Sequence, residues 1–153
     1  MKGLRVFGHP LHAVLSDVPV GLLGTSPLWD AVGVWRGEPV WWAISFWGIA
    51  LGLAAAAAAG VAGFVDYAAI AQDDPAQATA TRHMLFILGS LTPYAVSLAV
   101  RGSPAAPSGK AAVIVIVLDG LGLLLLSVGG WYGGHLVFHH GVGAERNPGS
   151  GHS

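Results

Sequence analysis

The chain has 153 residues, of which 54% are hydrophobic and 10% charged, and its mean hydropathy is +0.63; a soluble domain carries about 25% charged residues. That balance describes a membrane protein, and the formal net charge of −1 gives no ground for a nucleic-acid partner or a polybasic lipid-binding surface. Cysteine is absent, which excludes disulfides, thiolate-held iron–sulfur clusters, cysteine zinc sites and thiol catalysis from within this chain.

The length suits one domain. Lys2 and Arg5 precede an apolar run, but Asp17 and Pro19 interrupt what would be the core of a secretory signal, and no small-x-small cleavage site follows. His9-Pro10 reads better as a helix start, because proline is tolerated at the first helical position. A first span is expected from about Pro10 to Val34, carrying Asp17, Asp30, Pro19 and Pro27. Such residues survive in a span only where neighbouring helices cover them.

Arg36-Gly37-Glu38-Pro39 forms a short polar turn, around which Trp29, Trp35, Trp41, Trp42 and Trp47 gather as an interfacial aromatic belt. The second span, Val40 to Val65, holds no charge. Its alanine run from Ala54 to Ala59 and its pair Gly48 and Gly52 offer a surface for close helix contact. Asp66-Tyr67 ends it. Asp74 as N-cap and Pro75 at the first helical position start a third span that reaches Val100. Arg101 to Lys110 is a loop rich in proline, glycine and serine. The fourth span runs from Ala111 to about His135 with one internal charge, Asp119, and Ala144 to Ser153 reads as a disordered tail.

Four spans with short connections predict an all-α, integral membrane, up-down-up-down four-helix bundle over residues 1–143. The chain termini then share one side, called A. Side A carries Lys2, Arg5, Arg82 and Arg146 against Arg36, Arg101 and Lys110 on side B, a small basic excess that favours side A as cytoplasmic in the cell membrane.

Every histidine outside the tail falls on side A: His9, His12, His83, His135, His139 and His140. On a helix, His9 and His12 share a face, as do His135 and His139, while His140 points elsewhere. One reading is a cofactor site: His12, His83 and His135 as ligands of haem b. Alternatively, His9, His12, His83, His135 and His139 with Asp66 hold copper or zinc. Asp66 could also orient a ligating imidazole. The plainer reading is that interfacial histidines sit in the headgroup region and cap helix ends. The spans contain no glutamate, which disfavours a carboxylate-bridged di-iron site. For Asp30 and Asp119, structural pairing with Arg36 or Arg101 is favoured over a proton relay.

The stretches GHPLHAVLSDVPVGL (Gly8 to Leu22, with Asp30 after it), GVAGFVDYAAIA (Gly60 to Ala71), RHMLF (Arg82 to Phe86) and GGWYGGHLVFHHGVG (Gly129 to Gly143) together resemble a bacterial membrane family of unassigned function, domain of unknown function 2231. Some members look like fusions to a Rieske-type domain, which implies a redox neighbourhood. The resemblance supplies no catalytic residues. The one-sided, face-sharing histidines give the expectation of electron transfer between a quinone or small carrier and a redox protein, with a homo-oligomer as a further expectation. The competing expectation is a non-catalytic membrane scaffold or accessory subunit held through the glycine and alanine faces. A transporter is disfavoured because the halves show no convincing inverted repeat.

Overall fold

The computed structural model describes residues 5–6 and 9–142, with side chains from Leu11 onward. The side chain of His9 and the tail from Ala144 to Ser153 lie outside the described residues. Two short strands, β1 (Arg5–Val6) and β2 (His9–Pro10), pair antiparallel and lead into four helices: α1 (Leu11–Arg36), α2 (Pro39–Ala68), α3 (Gln77–Arg101) and α4 (Gly109–Phe138). Of these, α2, α3 and α4 are long and apolar enough to cross a membrane. The first helix is long enough at 26 residues but is not in that group, because its polar residues and prolines dilute its apolar ones. The four expected helical segments are present, three of them apolar along a membrane length and the first, as its acids and prolines foretold, more mixed.

Helix ends follow local chemistry. Glu38 precedes Pro39 at the start of α2, Gly37 turns with φ +70°, and Gly102 ends α3 in the left-handed region at φ +63°, a backbone conformation that L side chains rarely adopt. Asp74 does cap a turn, with its Oδ1 accepting from the Ala76 amide at 2.8 Å. Regular helix, however, begins only at Gln77, because a turn over Pro75 and Ala76 intervenes. Helix boundaries commonly differ by such margins.

The helices bury several polar and charged residues alongside an apolar core, and turn many large apolar residues outward. Ser26, Asp30, Ser45, Ser90, Ser97, Arg101 and Asp119 are buried, while Leu28, Leu51, Val61, Phe64, Leu88, Val117 and Leu124 are exposed. In water that arrangement would be costly, since large exposed apolar patches associate. Against lipid it is the stable one, because hydrocarbon offers polar groups no hydrogen-bond partners.

Each hairpin closes through glycine. A Cβ at Gly48 would meet Ser26 Oγ at 2.9 Å, and one at Gly52 would meet the Leu23 side chain at 2.8 Å. The small-residue pair expected to receive another subunit is therefore occupied by α1 of the same chain. On α4, Gly122 lies against Tyr94 and Gly129 against Ile87 in the same manner, whereas Gly130 meets nothing. The central layer is Leu23, Ile49, Tyr94 and Leu126.

Tyr94 also answers how α1 tolerates Pro27. Proline has no N–H, so the carbonyl four residues earlier, Leu23 O, lacks its helical donor. The Tyr94 hydroxyl donates to that carbonyl at 2.8 Å across the bundle.

One end of the bundle is held by charge. Arg101 donates through one nitrogen, Nη2, to Asp30 on α1 and to Asp119 Oδ2 on α4, the latter at 2.5 Å, with all three side chains no more than 1% exposed. Its guanidinium carbon also sits 5.7 Å from the ring centre of Trp42 on α2. Structural pairing is therefore what Asp30 and Asp119 do. The partner is Arg101 for both; Arg36 binds Glu38 at 3.2 Å on the exposed turn. There Trp41 Nε1 also donates to Glu38 at 3.0 Å, and Trp29 stacks on Trp41 with centroids 5.8 Å apart. The aromatic belt is thus partly an internal assembly, since Trp42 is buried and only Trp35 and Trp47 are widely exposed.

Candidate functional site

The opposite end carries the histidines, in two groups. The first lies between the hairpins. His12, in the first turn of α1, lays its ring against Gly63 of α2, where a Cβ would approach to 2.7 Å; its Nδ1 is 3.0 Å from Ala59 O. His83, in the second turn of α3, lays its ring against Gly133 of α4, and its Nδ1 is 2.8 Å from Gly129 O. A carbonyl only accepts, so both Nδ1 atoms carry hydrogen, and in the neutral ring each Nε2 keeps its lone pair. The two ring centres are 6.3 Å apart with planes at 79°. Both rings are half-buried.

The second group caps α4. His135 and His139 stack at 4.5 Å with planes 15° apart, as residues one turn apart on a helix do. His140 stands nearly perpendicular to both, its centre 5.5 Å from His135 and 4.9 Å from His139. One nitrogen from each of the three lies within 4.8 Å of the others. Trp131 stacks on the outer side of His135 at 5.6 Å, and Thr79 Oγ1 is 3.2 Å from His140 Nε2.

Helical spacing alone puts His140 off the shared face of His135 and His139, and the structure corrects that expectation. The helix ends at Phe138 and its last turn widens. The amides of His139 and His140 both donate to His135 O, at 3.0 and 3.3 Å, and the Val142 amide reaches back to Leu136 O at 2.9 Å. Gly141 makes the turn possible with φ +66°. Val142 then packs onto a small cluster of Ile70, Ala76, Ala80 and Leu136, which fixes the returning chain and His140 with it.

The proposed ligand sets are therefore divided. His12 meets His83, but His135 belongs with His139 and His140. Of the haem set, His12 and His83 face one another and His135 stands in the α4 group. Asp66 is half-buried one turn beyond Gly63 on α2, and the side chain of His9 lies outside the described residues. What spacing could not supply was the grouping: His140 joins through a turn, and His12 meets His83 only because two hairpins pack.

An all-helical protein with buried charged groups, a largely apolar exterior and three membrane-length helices is an integral membrane protein. The chain belongs to the family described as predicted membrane protein (DUF2231), whose family model matches residues 8–146. No curated protein and no solved structure matches it.

Proposed function

We propose that this chain is a multi-pass membrane protein that binds a transition-metal ion, copper or zinc, through His135, His139 and His140 at one membrane face. The observation that carries the reading is the three imidazoles with donor atoms within 4.8 Å of one another. A tetrahedral ion with metal–nitrogen bonds of about 2.0–2.1 Å brings ligand atoms to about 3.3–3.4 Å, so rotation of the side chains by roughly an ångström closes the set. Imidazole nitrogen suits both ions, and a three-histidine site leaves a position open for water or an incoming ligand. With its Nε2–H donated to Thr79, His140 keeps Nδ1 for the metal, and the threonine holds the ring's orientation.

With copper, the open position and the flanking Trp131 suit one-electron exchange with a quinone or small redox protein. An up-down-up-down arrangement would gather these ends at one face, and two sets of contacts support it. His12 beside Ala59 and His83 beside Gly129 put the beginnings of α1 and α3 next to the later turns of α2 and α4. The Asp30–Arg101–Asp119 contact does the converse at the other end.

The test is metal analysis with optical spectra of detergent-purified protein after equilibration with Cu(II) or Zn(II) and removal of excess. One ion per chain, lost when His135, His139 and His140 are all replaced by alanine, is the expected result. An absence of stoichiometric metal, or metal that survives the triple replacement, would overturn the reading. A Soret band that shifts on dithionite reduction would instead establish haem.

A further inference from the structure

The two hairpins, α1–α2 and α3–α4, are built on one plan. Buried Pro19, Leu23, Ser26 and Asp30 of α1 recur as buried Ser90, Tyr94, Ser97 and Arg101 of α3, each pair 71 positions apart, as Leu23 and Tyr94 or Asp30 and Arg101 are. The second helices repeat at a spacing one residue shorter. Ser45, Ile49, Gly52, Ala56 and Ala59 are buried in α2, and Val115, Asp119, Gly122, Leu126 and Gly129 in α4.

Contacts repeat with the positions. Gly52 receives Leu23 as Gly122 receives Tyr94. Ala59 O binds His12 as Gly129 O binds His83. Gly63 accommodates the His12 ring as Gly133 accommodates that of His83.

Equivalent positions also meet one another. His12 touches His83, Tyr94 donates to Leu23 O, and Asp30 pairs with Arg101. A position that contacts its own counterpart lies on a two-fold axis. Three such meetings at three depths trace a quasi-two-fold axis along the bundle. At the charged end the equivalence is broken into opposite charges, which suits a buried contact. At the other end two identical bases remain, each tethered at Nδ1 and each keeping its Nε2 lone pair.

We infer that His12 and His83 form a second cation site on this axis, separate from the α4 triad, which takes one univalent soft ion, Cu(I) or its analogue Ag(I), between two imidazole nitrogens. Length favours a metal ion over a shared proton. Two metal–nitrogen bonds of about 2.0 Å with roughly 1.1 Å from each nitrogen to its ring centre span about 6.2 Å when collinear, against the 6.3 Å found. A proton shared between the rings would draw the nitrogens to about 2.7–2.9 Å and the ring centres to about 5 Å. Charge favours a univalent ion. Both ligands are neutral and half-buried, and the Born cost of a univalent ion is about a quarter of that of a divalent one. A collinear pair of donors sets no relation between the two ring planes, so the 79° between them is compatible with the site.

The test uses the full chain in detergent micelles with His135→Ala, His139→Ala and His140→Ala, which removes the other histidine group. Ag(I) is the redox-inert probe, and Cu(I) is then presented in competition with a chromophoric chelator. One Ag(I) per chain is expected in this background. His12→Gln and His83→Gln are each expected to weaken binding at least about tenfold, and to the same extent, because the two positions are equivalent. Glutamine retains an N–H for the Ala59 or Gly129 carbonyl, and circular dichroism with thermal unfolding verifies that each variant is folded. Absence of Ag(I) in the triad-free background would overturn the inference, as would binding indifferent to both glutamine variants or lost in only one of them.

Discussion

Replacing Arg101 by leucine removes one side chain that touches all the other helices. It binds Asp30 on α1 and Asp119 on α4 and lies 5.7 Å from the Trp42 ring on α2. Loss of one partner from a buried ion pair costs about 3–5 kcal/mol, because the remaining charge has no compensation. Here two carboxylates are stranded together, and Asp30 Oδ1 and Asp119 Oδ1 already lack hydrogen-bond partners, so the upper part of that range applies. The lost cation–π contact adds about 0.5–2 kcal/mol. At about 1.4 kcal/mol per factor of ten, Arg101→Leu is expected to lower the folded-to-unfolded ratio by roughly three orders of magnitude or more. Titration from mild detergent into sodium dodecyl sulfate, followed by circular dichroism, measures it. The triple variant Arg101→Leu, Asp30→Leu, Asp119→Leu is expected to regain most of the loss, since replacing a whole buried ionic group with apolar residues is often neutral or better. A single variant within about 1 kcal/mol of the parent, or a triple variant no more stable than the single, would refute the reasoning.

Tyr94→Phe leaves Leu23 O, already without a helical donor because of Pro27, unsatisfied in the core, and is expected to cost about 1–3 kcal/mol in the same titration. Gly52→Leu and Gly122→Leu force atoms into the side chains of Leu23 and Tyr94 and are expected to destabilise by at least about 1–3 kcal/mol. Gly130→Leu, which meets open space, is expected to leave stability unchanged, and a reversal of that order would move the glycine faces to an intermolecular role. Gly141→Ala strains a residue held at φ +66° by about 1–2 kcal/mol. It is expected to weaken zinc binding measured by competition with a chelator while all three ligands of the triad remain in place.

Composition and periodicity already contain the membrane class, the four helical segments and their approximate limits. Those depend on short-range physics: runs of apolar side chains long enough for hydrocarbon, and prolines and glycines that interrupt them. Pairing of Asp30 and Asp119 with a nearby arginine was also legible, because a charge inside a span requires a partner. The choice of Arg101 over Arg36 was not, since it depends on which helix end faces the core. Tertiary structure likewise decided that Gly48 and Gly52 serve the chain's own α1 and that the widened turn at Gly141 brings His140 back to His135. It also revealed the relation between the hairpins. Few residue identities recur, so the repeat is written in which positions are buried and which carbonyls are used. Those properties arise only when two hairpins pack, and that packing alone brings His12 and His83 together.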